Sequence, residues 1–280
     1  MILGVLLAVV GLSGVTTGSP IVTVPPNAAS ENSEKPTAVV VVEEAREEVM
    51  ETGELNPNHY PAQRAAKVVQ HYLNTLHGSP YKVFGLQKVF RAYAEDVPGS
   101  GRKYQLELSV QEMVKKTTAN CEAEVIFPRK EDHPPLQVHV SSHDDLLNNN
   151  VSLQEETLLY QQYKRNHSLL FAQNLPDSNG HIEPEHIPFW HLGAVASSFV
   201  MLSESTEDTL YNMAQVANIT QLASNDDPLK FEYDVLLHEM VSQEIIAWKM
   251  LVTWSPSEGV KVLKMEKREY SVTNLKTTLL

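Results

Sequence analysis

The sequence predicts an α+β protein made of two tandem copies of one unit, each a helix packed on a four-stranded antiparallel sheet, joined by a connecting helix. The first observation is a helical pattern of apolar residues followed by several alternating segments. The second is that this pattern recurs 127 residues further along the chain. The third is size, because 280 residues are many for one small core and enough for two.

Residues 1–18 have the pattern of a secretory signal peptide. Residues 2–12 are small or apolar without interruption, too short to span a bilayer, and short polar residues follow up to Gly18. No basic residue precedes this run, so a retained anchor or a buried N-terminal strand is the alternative. No later segment is apolar enough to cross a membrane. The expected location is therefore outside the cell.

Residues 19–57 form an acidic tail that we expect to be largely disordered. The tail has no aromatic residue, and residues 31–54 carry eight acidic against two basic side chains. The whole chain has 35 acidic and 22 basic residues, which gives a net charge of −13. This charge disfavours nucleic acid as a partner and is compatible with a cationic partner or with solubility alone.

The first unit is predicted over residues 58–142. Pro61 stands where a helix can begin, and apolar residues then recur at three and four positions: Ala65, Val68, Val69, Tyr72, Leu73 and Leu76. Gly78 and Pro80 end this helix. Alternating apolar residues predict four strands near residues 81–93, 103–114, 121–127 and 136–140.

Residues 143–183 are predicted to link the units. Apolar residues at helical spacing predict a connecting helix over residues 153–171. The turn-forming run from Leu175 to Gly180 then separates this helix from the second unit.

The second unit is predicted over residues 184–268, followed by a short tail at 269–280. Adding 127 to the first helix aligns Pro61 with Pro188 and Val68 with Val195. The same shift aligns a whole strand, in which residues 103–108 meet residues 230–235. One offset without a gap across a helix and three strands indicates a duplication.

Three sequons support export, at Asn150, Asn166 and Asn218. Cysteine usage excludes a disulfide-stapled scaffold, because Cys121 has no second cysteine in the chain to pair with. We expect Cys121 to be a buried hydrophobic residue, the alternative being an intermolecular bridge.

The sequence favours a protein that is not an enzyme and that needs no cofactor or metal. His238-Glu239 begins like a zinc-protease helix, but position 242 is Ser rather than the second His. His181, His186 and His191 lie near one turn and are a weak set of metal ligands. His139 and His143 are four apart in a strand region, where they do not share a helix face.

Several short runs together resemble the latexin family. They span about residues 60–267 and include Glu95-Asp96-Val97-Pro98-Gly99, Ser205-Thr206-Glu207-Asp208-Thr209, Asn225-Asp226-Asp227 and Ser242-Gln243-Glu244-Ile245-Ile246. The resemblance implies two cystatin-like units. The family includes an inhibitor of zinc carboxypeptidases and secreted members, one of them an eggshell matrix protein. The signal-like start and the acidic tail make this chain more similar to the secreted members. Its mass of 31.3 kDa and its three sequons resemble those of the eggshell member.

The resemblance also implies a site. The family inhibitor blocks carboxypeptidases of the A/B type at the mouth of the active-site funnel, mainly through its second unit and connector. Carried onto this sequence, the inhibitory contacts are His238, Gln243, Glu244 and Ile245, in the turn between the second and third strands of the second unit. The alternative is that Gln243 and Glu244 only solvate a turn. Ala247 replaces the proline of the family, which we expect to loosen this turn.

A cystatin-type inhibitor of cysteine proteases is disfavoured. The Gln-x-Val-x-Gly hairpin of cystatins is incomplete here, because Arg91 replaces the glycine that lets the backbone approach a protease.

A second function belongs to another class, an acidic matrix protein that modulates calcium carbonate mineralisation without inhibiting a protease. Glu43, Glu44, Glu47 and Glu48 in the tail are able to contact calcium, although weakly unless they are rigidly arranged. Other matrix proteins are the alternative partners, and neither function requires a membrane.

Overall fold

The computed structural model describes residues 52–129, 135–141, 151–165, 169–224 and 227–268. The first half contains β1 (Gly53–Leu55), α1 (Tyr60–His77), β2 (Phe84–Val97), β3 (Gly101–Glu112), β4 (Thr118–Phe127) and β5 (Gln137–Ser141). The connecting helix α2 is Val151–Arg165. The second half contains β6 (Phe171–Leu175), a short 3-10 turn (Pro184–His186), α3 (Ile187–Ser203), β7 (Tyr211–Leu222), β8 (Leu229–Glu239), β9 (Glu244–Ser255) and β10 (Gly259–Arg268).

The α+β prediction is confirmed, because the described residues form two antiparallel sheets and three α-helices. The strands follow one another in chain order, β1 to β5 in one sheet and β6 to β10 in the other. Each sheet packs its own helix, α1 or α3, against its apolar face. In β8 buried and half-buried side chains alternate without a break over eleven residues, as expected for a sheet with one face on the core.

The prediction of four strands per sheet is wrong, because the part of the chain that the structure describes forms five strands in each sheet. The additional strand of the first sheet is β1, which has three residues and pairs with β2. β1 lies within residues 19–57, the segment that its composition assigned to the acidic tail. The fifth strand of the second sheet is β6, which pairs with β7. The connecting helix is described to Arg165 rather than to residue 171, and Phe171 already belongs to strand β6.

The duplication extends to irregularities in the sheets. Register shifts in the first half fall between Leu86 and Lys88 and between Val89 and Arg91. In the second half they fall between Met213 and Gln215 and between Val216 and Asn218. The residue numbers of the two shifts in the second half are each 127 higher than those in the first half. Both bulges were therefore duplicated together with the strands.

The two halves meet through α1 and α3 in a nearly symmetrical way. Arg64 Nη1 donates to the carbonyl oxygen of Glu207 at 3.0 Å. At the equivalent position, His191 Nδ1 donates to the carbonyl oxygen of Pro80 at 2.9 Å. Since 64 and 191, and 80 and 207, are each 127 apart, one contact repeats the other.

Two further features fix this junction. The Glu207 carboxylate accepts a hydrogen bond of 2.9 Å from the Tyr104 hydroxyl. Gly78 lies so close to α3 that a Cβ atom there would be 2.6 Å from Val195. The second half is therefore held in a set orientation on the first.

Several predicted segments lie outside the described residues. They are the signal segment at 1–18, the acidic tail up to residue 51 and the C-terminal tail at 269–280. Within the described ranges, no helix combines the length and the apolar character needed to cross a bilayer.

Candidate functional site

The β8–β9 hairpin of the second half ends in a four-residue turn, residues 240–243. All four residues are exposed, although two of them are apolar: Met240 is 39% exposed and Val241 is 48% exposed. The turn therefore presents both polar and apolar side chains to solvent.

A buried carboxylate holds this turn in place. Glu239 is the last residue of β8 and only 5% exposed. Its Oε1 accepts the backbone N–H of Leu210 at 2.9 Å and of Val241 at 3.1 Å, and its Oε2 accepts that of Ser242 at 2.6 Å. Burial alone would raise the pKa of Glu239, but these N–H donors outweigh it and lower the pKa to about 2. The carboxylate is therefore ionised at neutral pH and fixes three backbone groups.

The backbone of the turn is also constrained at Gln243, where φ is +62°. A positive φ is uncommon for a residue other than glycine, so the local hydrogen bonds must stabilise this conformation. The Gln243 side chain contributes one of them, because its Nε2 donates to the carbonyl oxygen of Met240.

The first half carries the same turn with different side chains. Glu112, the counterpart of Glu239, accepts the backbone N–H groups of Val114 and Lys115 at 2.8 Å each. Lys116, the counterpart of Gln243, also has a φ of +62°. One backbone scaffold therefore presents Lys115 and Lys116 in the first half and Ser242 and Gln243 in the second.

The four predicted contact residues lie together at the end of this hairpin. His238 and Ile245 are paired across β8 and β9, so their side chains share a face of the sheet. Glu244 opens β9 opposite Glu239, and Gln243 is the last turn residue. Gln243 and Glu244 are exposed, Ile245 is 49% exposed and His238 is half-buried.

Ala247 lies inside β9 rather than in the turn. Its Cα partners are Leu236 on β8 and Arg268 on β10. The departure from the family pattern at this position therefore falls in paired strand, beyond the end of the turn.

The incomplete cystatin motif is not in a hairpin turn. Gln87 to Arg91 lies in the interior of β2, across its two bulges. This position does not present the motif as a protruding tip.

The residues considered for metal binding or catalysis are separated or buried. Within the described ranges, no group of three or more His, Cys, Asp or Glu residues could hold a metal ion. His181 Nε2 lies 3.4 Å from Glu183, while His191 contacts Pro80 of the first half. Burial raises the pKa of the Cys121 thiol to about 11, as expected for a core residue of β4. His143 lies outside the described residues.

Of the three sequons, Asn150 and Asn166 lie outside the described residues. Asn218 lies within β7, between Gln173 on β6 and Asp234 on β8. Its side chain is half-buried and its Oδ1 atom is buried.

Sequence reasoning did not identify Glu239 as the residue that organises the site. The sequence did contain one signal, since an acidic residue stands at the same place in both copies. Glu112 ends β3 and Glu239 ends β8. The junction residues Arg64, His191 and Glu207 were missed as well, since their contacts join residues more than 100 positions apart.

Comparison with known proteins finds a matching family and several similar proteins. The family description "Latexin" matches residues 55–271. Latexin of Homo sapiens is 40% identical over 210 residues, which cover 75% of this chain and 94% of that protein. Ovocalyxin-32 of Gallus gallus is 32% identical over 210 residues, covering 74% of each chain. Retinoic acid receptor responder protein 1 of Homo sapiens is 31% identical over 208 residues, covering 71% of this chain and 70% of that protein.

The family match covers well over half of the chain, and it includes the hairpin described above and both sheets apart from the first two residues of β1. This chain therefore belongs to the latexin family.

Proposed function

We propose that this protein is a secreted inhibitor of zinc carboxypeptidases of the A/B type, and not an enzyme. Its β8–β9 turn would enter the mouth of the active-site funnel. The single observation that carries the proposal is the turn held by the buried Glu239 carboxylate, which displays Gln243 and Glu244 to solvent.

Rigidity is what makes this turn suited to binding. An inhibitory loop that is already ordered loses little conformational entropy when it binds its target. Three backbone N–H groups are fixed by Glu239 before any partner arrives. The second half is held on the first through Arg64 and Glu207, so the turn also has a fixed direction.

The exposed groups are chemically suited to a zinc funnel. A carboxylate or amide oxygen, from Glu244 or Gln243, can approach the open position of a catalytic zinc or pair with an arginine near it. Ile245 and Val241 add exposed apolar area beside these polar groups. The turn therefore offers a cleft both polar groups and apolar area.

The test is an inhibition panel with the purified full chain against A-type and B-type carboxypeptidases. We expect inhibition at or below micromolar concentration. We also expect a marked loss in Gln243→Ala/Glu244→Ala, while Glu258→Ala, an exposed glutamate of another turn, retains it. Absence of inhibition by the wild-type chain at micromolar concentration would refute the proposal.

We further propose that each half is a cystatin-like unit. The support is that both halves run strand, helix and then four antiparallel strands, with the same bulges. The first unit then begins near residue 52, because β1 belongs to its sheet.

A second candidate is an acidic protein of an extracellular matrix, such as that of the eggshell, that modulates calcium carbonate growth. It is favoured by the acidic tail and by the relative ovocalyxin-32, although the identity to latexin, 40%, exceeds the 32% to ovocalyxin-32. Deleting residues 19–51, which spares β1, should lower adsorption to calcium carbonate without changing the melting temperature. Equal adsorption of the shortened chain would eliminate this candidate.

A further inference from the structure

The outer face of the first sheet, opposite to α1, carries an open groove of about 760 Å³. Two neighbouring rows of side chains line it. One row crosses all five strands, and the next crosses four: Glu54, Tyr93, Gln105, Glu124 and His139, then Arg91, Glu107, Glu122 and Ser141. A groove of this size is in the range of known ligand sites.

The charge in the groove is unbalanced. Among the described residues, its lining holds four glutamates and one arginine, Arg91, and the neighbouring Lys103 lies 3.9 Å from Glu124. Glu107 and Glu122 are directly opposite each other on β3 and β4. Like charges in directly opposite positions destabilise a sheet. Arg91 Nη1 lies 3.3 Å from Glu107 Oε1, so it relieves this repulsion from one side only.

In the second half, the positions equivalent to Glu107 and Glu122 carry opposite charges. The counterparts of Glu107 and Glu122 are Asp234 and Lys249, which are likewise opposite each other, on β8 and β9. The second copy therefore pairs opposite charges where the first copy pairs like charges. In the first copy Arg91 pairs with Glu107, and among the described residues no basic side chain lies within ion-pair distance of Glu122. The Glu122 carboxylate is therefore open to a cation from a partner.

The remaining lining points to the kind of cation. Tyr93 is 42% exposed and lies in the row beside Glu107. An aromatic ring next to two carboxylates suits a guanidinium group, which stacks on the ring and forms paired hydrogen bonds with carboxylates. At about 4.8 Å between strands, five strands give a groove roughly 19 Å wide, enough for about six extended residues.

We propose that this groove binds an extended, arginine-rich segment of a partner protein, with guanidinium groups placed on Glu107 and Glu122 and against Tyr93. The site lies on the first half, whereas the hairpin proposed for carboxypeptidase inhibition belongs to the second. The two activities are therefore separable by mutation.

The test is the binding of a fluorescein-labelled hexa-arginine peptide to the full chain, followed by fluorescence anisotropy. We expect Glu122→Lys, which copies the charge of Lys249, to weaken binding by about tenfold or more. The same variant should melt about 1–3 °C higher, because Glu107 gains an opposite charge. Weaker binding by a more stable protein cannot be explained by unfolding.

Glu258→Lys is the matched control, since it makes the same change in net charge at an exposed turn of the second half. It should alter affinity by less than about twofold. Equal losses in both variants would show attraction to net charge alone and overturn the proposal, as would unchanged binding in Glu122→Lys. Displacement of the peptide by millimolar calcium chloride, but not by sodium chloride of equal ionic strength, would also overturn it by making the groove a calcium site.

Discussion

The buried carboxylate of Glu239 accepts the backbone N–H of Ser242 at 2.6 Å, and this bond joins the end of β8 to the turn that follows it. Together with the bonds from Leu210 and Val241, it makes one side chain responsible for the shape of the exposed turn. The shape of the candidate site is therefore set from inside the protein.

Glu239→Gln should destabilise the protein. Hydrogen bonds to a charged group contribute about 1.5–3 kcal/mol each, and the amide keeps only one acceptor oxygen. We expect the free energy of unfolding at pH 7 to fall by roughly 2 kcal/mol, measured by urea denaturation. Glu244→Gln, at the exposed position opposite, should change it by less than about 0.5 kcal/mol. Equal effects of the two variants would show that the carboxylate does not organise the turn.

Acid should weaken the fold through His71. This α1 residue is 1% exposed, and a hydrogen bond with the backbone at Tyr211 only partly offsets the cost of charging its buried ring. Burial, assisted by the charge of Lys67, lowers the pKa of His71 from 6.5 to about 3. Below pH 6.5 His71 therefore binds a proton in the unfolded chain but stays neutral in the folded chain. The free energy of unfolding falls as the pH is lowered from 6.5 towards 3.

The expected loss between pH 7 and pH 5 is roughly 2 kcal/mol, at about 1.4 kcal/mol for each pH unit below 6.5. Urea denaturation at several pH values measures it. His71→Gln cannot titrate and should show a flatter dependence over this range. If wild type and variant lose stability in parallel, His71 is not the group responsible.

Asn218 should carry no glycan, although it has the sequon pattern. It lies within β7 between two other strands, and its side-chain oxygen is buried. A glycan on this side chain would have to be accommodated against the paired strands. We expect Asn218→Gln to leave the mass of protein secreted by mammalian cells unchanged apart from the substitution. A loss of one glycan in that variant would contradict this placement.

The duplication was predictable because apolar alternation and a constant offset are properties of the sequence alone. The helix, the three repeated strands and the position of the hairpin all follow from them. The strand β1 was missed because three residues, Gly53–Leu55, are too short to show a period and lie among polar residues. The end of α2 was misplaced because Leu169 and Leu170 also fit helical spacing, while pairing with β7 decides the course of the chain beyond them.

Within the site, the exposed residues were predictable, but the buried carboxylate that holds their turn in place was not. A family resemblance pointed to Gln243 and Glu244. The conformation of the turn depends instead on a carboxylate that receives a backbone N–H from Leu210, 29 positions earlier. Periodicity carries no information on such a contact, because it exists only once β7 and β8 are paired.

Replacing the second hairpin turn by the first tests most directly the claim that the β8–β9 turn inhibits carboxypeptidases, because the two turns share one backbone scaffold. Ser242→Lys/Gln243→Lys/Glu244→Thr gives the second turn the residues of the first, Lys115, Lys116 and Thr117. Since Glu112 and a positive φ at Lys116 already support those residues, the melting temperature should stay within about 2 °C of the wild type. Inhibition of A-type and B-type carboxypeptidases should fall by at least about tenfold. Inhibition equal to that of the wild type, in a variant that is fully folded, would contradict the account.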